Sequence, residues 1–103
     1  MSRLLVVLGT PANIGTMSGA LKHFFDQIYY PCLDATARRP YGLYVHGNSD
    51  TGGAVRGIET IVTGLKWQAA QAHVLVAGEP KGEDLEACWE LGAALAAGLS
   101  LAD

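Results

Sequence analysis

The sequence predicts an α/β domain of βαβαβα order, built on a three-stranded parallel sheet. Three observations predict it. The apolar runs Leu4–Leu8, Tyr41–His46 and Ala72–Ala77 have strand length. Segments with helical apolar spacing follow each of them. Turns rich in Gly, Pro and Asn join every run to the segment behind it, as in alternating α/β folds. The 103 residues form one predicted domain, 1–103, and half of them are hydrophobic, enough for a core without staples.

The first run is apolar at every position, so both of its faces should be covered, which points to a parallel sheet. Thr16 or Ser18 can cap the helix that follows. Leu21, Phe24, Phe25 and Ile28 fall at i, i+3, i+4 and i+7 and form its apolar stripe. Lys22 and Asp26 make an outward i,i+4 pair, and Pro31 is expected to stop the helix. Leu33–Pro40 is a polar connection. In the second strand Leu43 and Val45 share one face and Tyr44 takes the other. Gly47–Gly53 is a seven-residue loop, and Asp50 or Thr51 caps a helix with the stripe Val55, Ile58, Ile61, Val62 and Leu65. The third strand is centred on His73–Val76. Glu83 and Asp84 sit in the first turn of the last helix, where carboxylates suit the helix dipole. Its stripe is Leu85, Cys88, Leu91, Leu95 and Leu99. Right-handed crossovers give strand order 1-2-3, put the first two helices on one face and leave the last for the other.

Charged residues make up 17% of the chain and the net charge is -3, which argues against nucleic acid. The adjacent pair Arg38-Arg39 reads as a solvated loop. No apolar run approaches the ~20 residues of a membrane span. Met1-Ser2-Arg3 leads directly into a strand-like run, so no secretory signal is expected. Cys32 and Cys88 have no metal-ligand spacing; Cys88 reads as a buried thiol, and a cytoplasmic protein with reduced thiols is expected.

In open α/β sheets, ligands sit beyond the carboxyl ends of the strands. Two glycine-rich turns lie at that edge, Gly9–Thr16 and Gly47–Gly53. Pro11 stiffens the first, and Asn13 and Gly15 tolerate unusual backbone angles. A flat polar ring could be hydrogen-bonded there by main-chain groups. The same residues also make ordinary βα turns. His46 ends the second strand at this edge and either meets a ligand or caps a backbone group. His23 reads as solvated. His73 has no second ligand at metal spacing. Ser49, His46 and Asp50 lie too close in one loop to form a hydrolytic triad. Trp67 reads as core cover.

The stretch Gly9-Thr-Pro-Ala-Asn-Ile-Gly-Thr-Met-Ser-Gly-Ala-Leu-Lys-His-Phe-Phe-Asp26 resembles the G-[ST]-P-x-[YN]-x-G-x-M-S-G-x-L-K-x-F-x-D segment of flavodoxin-like proteins, particularly the NAD(P)H-dependent FMN and quinone reductases. His46-Gly-Asn-Ser-Asp-Thr-Gly-Gly-Ala54 is similar to that family's second flavin loop. Gly78–Ala87, followed by Glu90-Leu-Gly92, is similar to its closing strand-to-helix segment. The resemblance covers nearly the whole chain; its first motif is the most specific.

It implies a short three-layer sandwich and FMN lying between the two turns. Thr10, Pro11, Ala12, Asn13, Ile14 and Gly15 would border the dimethylbenzene and N5 side of the ring. His46, Gly47, Asn48, Gly52 and Gly53 would border its pyrimidine side. The implied reaction is two-electron transfer from NAD(P)H through FMN to a quinone-like acceptor, with no protein acid, base or nucleophile assigned.

The family holds the FMN phosphate in a Thr/Ser/Gly-rich loop after its first strand, and has two strands and two helices before the Gly-Thr-Pro segment. Here one apolar run precedes it, so the phosphate-binding portion is expected to be missing. Each lost charge-assisted hydrogen bond removes roughly 1.5–3 kcal/mol, so flavin binding should be weak or oligomer-dependent. An open first-strand edge suggests a homodimer through that edge and the adjacent helices, with Phe24, Tyr29, Tyr30, Trp89 and Leu4–Leu8 as candidates. Two other readings stay open: a non-catalytic domain used for assembly or partner binding, and half of an enzyme completed by a separate chain.

Overall fold

A computed structural model describes the backbone of residues 5–102 and side chains as far as residue 98. The expected strand start at Leu4 and the Leu99 side chain lie outside the described residues. The elements are β1 (Val6–Pro11), α1 (Gly19–Cys32), β2 (Pro40–Gly47), α2 (Thr51–Leu65), β3 (Gln68–Ala69), β4 (Val74–Ala77) and α3 (Gly82–Ala102). The predicted βαβαβα order is present, with one short extra strand. All pairings are parallel: β1 pairs β2 along its length, and β3 and β4 both pair β2 on its other side. The predicted order 1-2-3 therefore holds. Sequence reading missed β3 because two residues carry no periodic signal.

Register sorts the side chains. Leu8 pairs Leu43 and Thr10 pairs Val45, so these positions share a face. That face packs with Phe25 of α1, Ala54, Ile58, Val62 and Leu65 of α2, and Trp67, all at most 8% exposed. This is the core, and both helices lie on its side as the crossover rule requires. On the opposite face, α3 lowers Leu91 and Leu95 onto Gly42; a Cβ on Gly42 would lie 2.6 Å from Leu95 Cδ1. Val76 is buried there too.

Three expected details are corrected. Pro31 does not stop α1 ahead of itself but sits inside the last turn, and the helix ends at Cys32 with Leu33 as cap. A proline this near the end forfeits one helical bond, after which few remain to lose. Phe24 and Leu85 belong to periodic stripes yet are 45% and 68% exposed. A helix packed on one flat sheet buries a narrower arc than the sequence stripe spans. Cys88, read as a buried thiol, is only half-buried, as is Cys32. Among the described residues, no helix is long and apolar enough to cross a membrane.

Tyr41, at the start of β2, packs against Trp67 and His73. Burial, and then the nearby Glu59 carboxylate, raise its phenol above the ordinary 10.0. The unfolded chain ionises this group first, so its contribution to stability is intact below pH 10.0 and is lost as pH rises towards the folded value. Denaturant midpoints measured between neutral and strongly alkaline pH should fall above that point, and the fall should be shallower in Tyr41→Phe.

Candidate functional site

Parallel strands bring all the βα turns to one edge. The first turn begins later than the sequence suggests, because β1 runs through Gly9, Thr10 and Pro11. Thr10 is 4% exposed and points into the core side. Its hydroxyl accepts from Ser18 N (2.9 Å) and reaches Pro11 O (2.8 Å), tying the strand end to the start of α1. Ser18 Oγ in turn accepts from Leu21 N at 3.1 Å, confirming it as the cap. Thr10 therefore spends its polar atoms on the fold.

Beyond Ala12, Asn13 and Thr16 exchange two backbone hydrogen bonds of 2.7 and 2.9 Å. Ile14 (φ 50°) and Gly15 (φ 75°) form the tip. Positive φ at both central residues is the type I′ signature, which favours Asn-Gly. A β-branched residue there is a genuine outlier, and Ile14 is also fully exposed. Ile14→Asn restores the favoured pair and should stabilise the domain by about 1 kcal/mol. A thermal scan should show the midpoint rising by about 4–8 °C; an unchanged or lowered midpoint would mean that the tip carries no strain.

The second turn is shorter than the expected Gly47–Gly53. His46 and Gly47 end β2, and Gly52 and Gly53 already lie in α2, leaving Asn48–Asp50 as the loop. Asp50 caps α2 from a left-handed backbone (φ 48°), accepting from Gly53 N at 3.1 Å. The helix runs further towards the turn than its glycines favour, because the Asp50 side chain caps it.

The two turns touch. Ala12 N donates to His46 O at 2.9 Å. A Cβ on Gly47 would lie 2.7 Å from that of Ala12, and one on Gly53 would run into the Gly15 carbonyl. The predicted residues Pro11, Ala12, Asn13, Ile14, Gly15, His46, Gly47, Asn48, Gly52 and Gly53 thus form one ridge of main chain; Thr10 lies beneath it. Sequence reading left Gly78 out of the set. Its N–H donates to Gly47 O (2.8 Å) and its carbonyl takes the His46 Nε2 contact at 2.6 Å, so Nε2 is assigned the proton. His46 caps a backbone group of a third turn. The signal was available: Gly78 follows its strand as Gly9 follows the first run.

Among the described residues, the N–H groups of Ile14, Gly15, Asn48 and Ser49 have no partner inside the protein. Four donors on two adjoining turns suit the carbonyl and ring-nitrogen edge of a flat heterocycle. A phosphate fits less well. The Asp50 carboxylate is crowded against Gly15, 2.7 Å from where a Cβ would stand; it accepts from Gly53 N, and among the described residues the cation that pairs with it is Arg56, at 3.9 Å. Beside the first turn, Asn13, Ile14, Thr16, Met17, Gly19, Lys22, Gly53 and Gly57 line a cleft of about 530 Å³. Its one cation, Lys22, is paired with Asp26 at 2.6 Å. No group of His, Cys, Asp or Glu among the described residues could hold a metal ion.

No protein-family model matches the chain, and a search of the curated proteins finds no relative.

Proposed function

We propose that this domain binds the isoalloxazine ring of FMN along the paired turns 11–15 and 46–53, as a flavodoxin-like protein of the NAD(P)H-dependent FMN and quinone reductase kind. The observation that carries the reading is the contact of the two turns at the carboxyl edge, with four unpartnered N–H groups on them. Bound flavin would supply electron transfer between a nicotinamide and a quinone-like acceptor. The chain's own part is orientation: main-chain donors hold the ring edge, Ile14 presents an apolar side chain at the tip, and Asp50 disfavours an anion beside Gly15.

Titration with FMN, with riboflavin as the phosphate-free control, tests this. Binding of both with equal affinity is the expected result, since the donors belong to the ring site alone. Tighter FMN binding would point to phosphate contacts at Thr16, Gly19 and Lys22. Failure of both ligands to bind at millimolar concentration would overturn the reading. A second reading, a non-catalytic assembly domain, is favoured by one observation: Val7, Tyr44, Leu85 and Trp89 are 44–73% exposed.

A further inference from the structure

The sequence holds two asparagines, Asn13 and Asn48, one in each of the paired turns. Asparagine is chemically labile. Its side-chain amide carbon lies within reach of the next residue's main-chain nitrogen, and attack closes a five-membered ring. That nitrogen must be free, the peptide joining the two residues must be able to turn, and the next side chain must not shield the nitrogen.

Asn48 meets all three conditions. It is exposed, as is Ser49. Among the described residues, Ser49 N, the Asn48 carbonyl and the Asn48 side-chain amide have no hydrogen-bond partner in the protein. The chain on either side is held: Ala12 N donates to His46 O, Gly78 N to Gly47 O, and Gly53 N to the Asp50 carboxylate. The 48–49 peptide is thus an unbonded link between anchored ends, and such a link reorients at little cost. Ser49 carries a single heavy atom on its Cβ, so its nitrogen is open. Asn13 is exposed too, but its peptide is pinned. The Asn13 carbonyl accepts from Thr16 N at 2.9 Å and from Thr16 Oγ1 at 3.1 Å, and the next residue, Ile14, is branched at Cβ.

We propose that Asn48 is a self-modification site, at which the chain converts its own asparagine to aspartate and isoaspartate through a succinimide. Ser49 N bonds to Asn48 Cγ, the Cγ–Nδ2 bond breaks, and the Ser49 amide proton leaves with Nδ2 as ammonia. Water then opens the ring. Cleavage at Cγ gives aspartate; cleavage at the main-chain carbonyl gives isoaspartate, with one more carbon in the backbone. Nothing is oxidised or reduced, and water is the only co-reactant. The product places a second carboxylate two residues from Asp50, so the aged chain differs from the fresh one at the candidate site itself. The reaction stands apart from the flavin reading.

The folded full chain, held at body temperature and mildly alkaline pH, is followed by peptide mass spectrometry with isoaspartyl methyltransferase labelling. The Asn48 peptide should convert faster than the Asn13 peptide by about tenfold or more, because two hydrogen bonds must open before the 13–14 peptide turns. Both isoaspartate and aspartate should appear at position 48. Ser49→Val should slow that conversion by about tenfold while far-UV circular dichroism stays unchanged, and Asn48→Gln should nearly abolish labelling. Equal conversion at the two asparagines, aspartate without isoaspartate, or an inert Asn48 in a folded chain whose urea-unfolded form reacts there would each overturn the proposal.

Discussion

Gly53→Ala should lower stability by about 2–3 kcal/mol and abolish any ligand binding at the paired turns. The added Cβ would run into the Gly15 carbonyl, which is main chain and cannot rotate aside. Gly15 is held on one side by the double hydrogen bond between Asn13 and Thr16, and Gly53 by the Asp50 cap. Relief must therefore come from separating the turns, and forced overpacking of this kind sits at the upper end of ~1–3 kcal/mol. The thermal midpoint should drop by at least about 8 °C. The neighbouring glycine is the control. A Cβ on Gly52 would lie 3.3 Å from the flexible end of Arg56 and 3.9 Å from Asp50 Oδ1, the second an ordinary contact. Gly52→Ala also removes a glycine from the first turn of α2, so it should be neutral or stabilising by up to about 1 kcal/mol. Equal losses in the two variants would show that the turns do not press on each other.

Phe25→Ala should be the most damaging single truncation, at about 3–5 kcal/mol. Phe25 is 1% exposed and sits 6.4 Å, centroid to centroid, from Trp67, which also packs on Tyr41. Its ring is the largest fully buried part that α1 gives to the core, because Leu21 and Ile28 are only half-buried. A domain of this size has about 5–15 kcal/mol in all, so the variant should be partly unfolded near body temperature. In a Trp89→Phe background, which leaves Trp67 as the one indole, the buried Trp67 emission should shift to the red as α1 detaches. Phe24→Ala is the comparison, with most of that effect absent, since Phe24 is 45% exposed. A well-folded Phe25→Ala with unshifted Trp67 emission would mean that α1 is held by contacts other than this ring.

The core face was legible because its signals are local. Leu43 and Val45 alternate with Tyr44, and Ile58, Val62 and Leu65 repeat at helical spacing; both periods come from backbone geometry that every sequence shares. The caps were legible to within two candidates each, Thr16 or Ser18 and Asp50 or Thr51, since a cap acts within three residues of itself; the structure chooses Ser18 and Asp50. Phe24 and Leu85 misled because periodicity tells which residues are apolar, and the width of the buried arc depends on what the helix meets. Gly9–Pro11 read as loop because their composition suggests a turn, whereas pairing with Tyr44–His46 extends the strand through them.

The candidate site divides in the same way. Sequence alone determined which residues stand at the carboxyl edge, because alternating strands and helices with right-handed crossovers allow no other placement. Only the tertiary structure decided that Gly53 presses on Gly15, that Thr10 is spent on Ser18, that His46 caps Gly78, and that Val7 and Tyr44 stay about half exposed on the sheet. Those contacts join residues that are distant in the chain, and no local propensity encodes which atoms will meet once the sheet has aligned its turns.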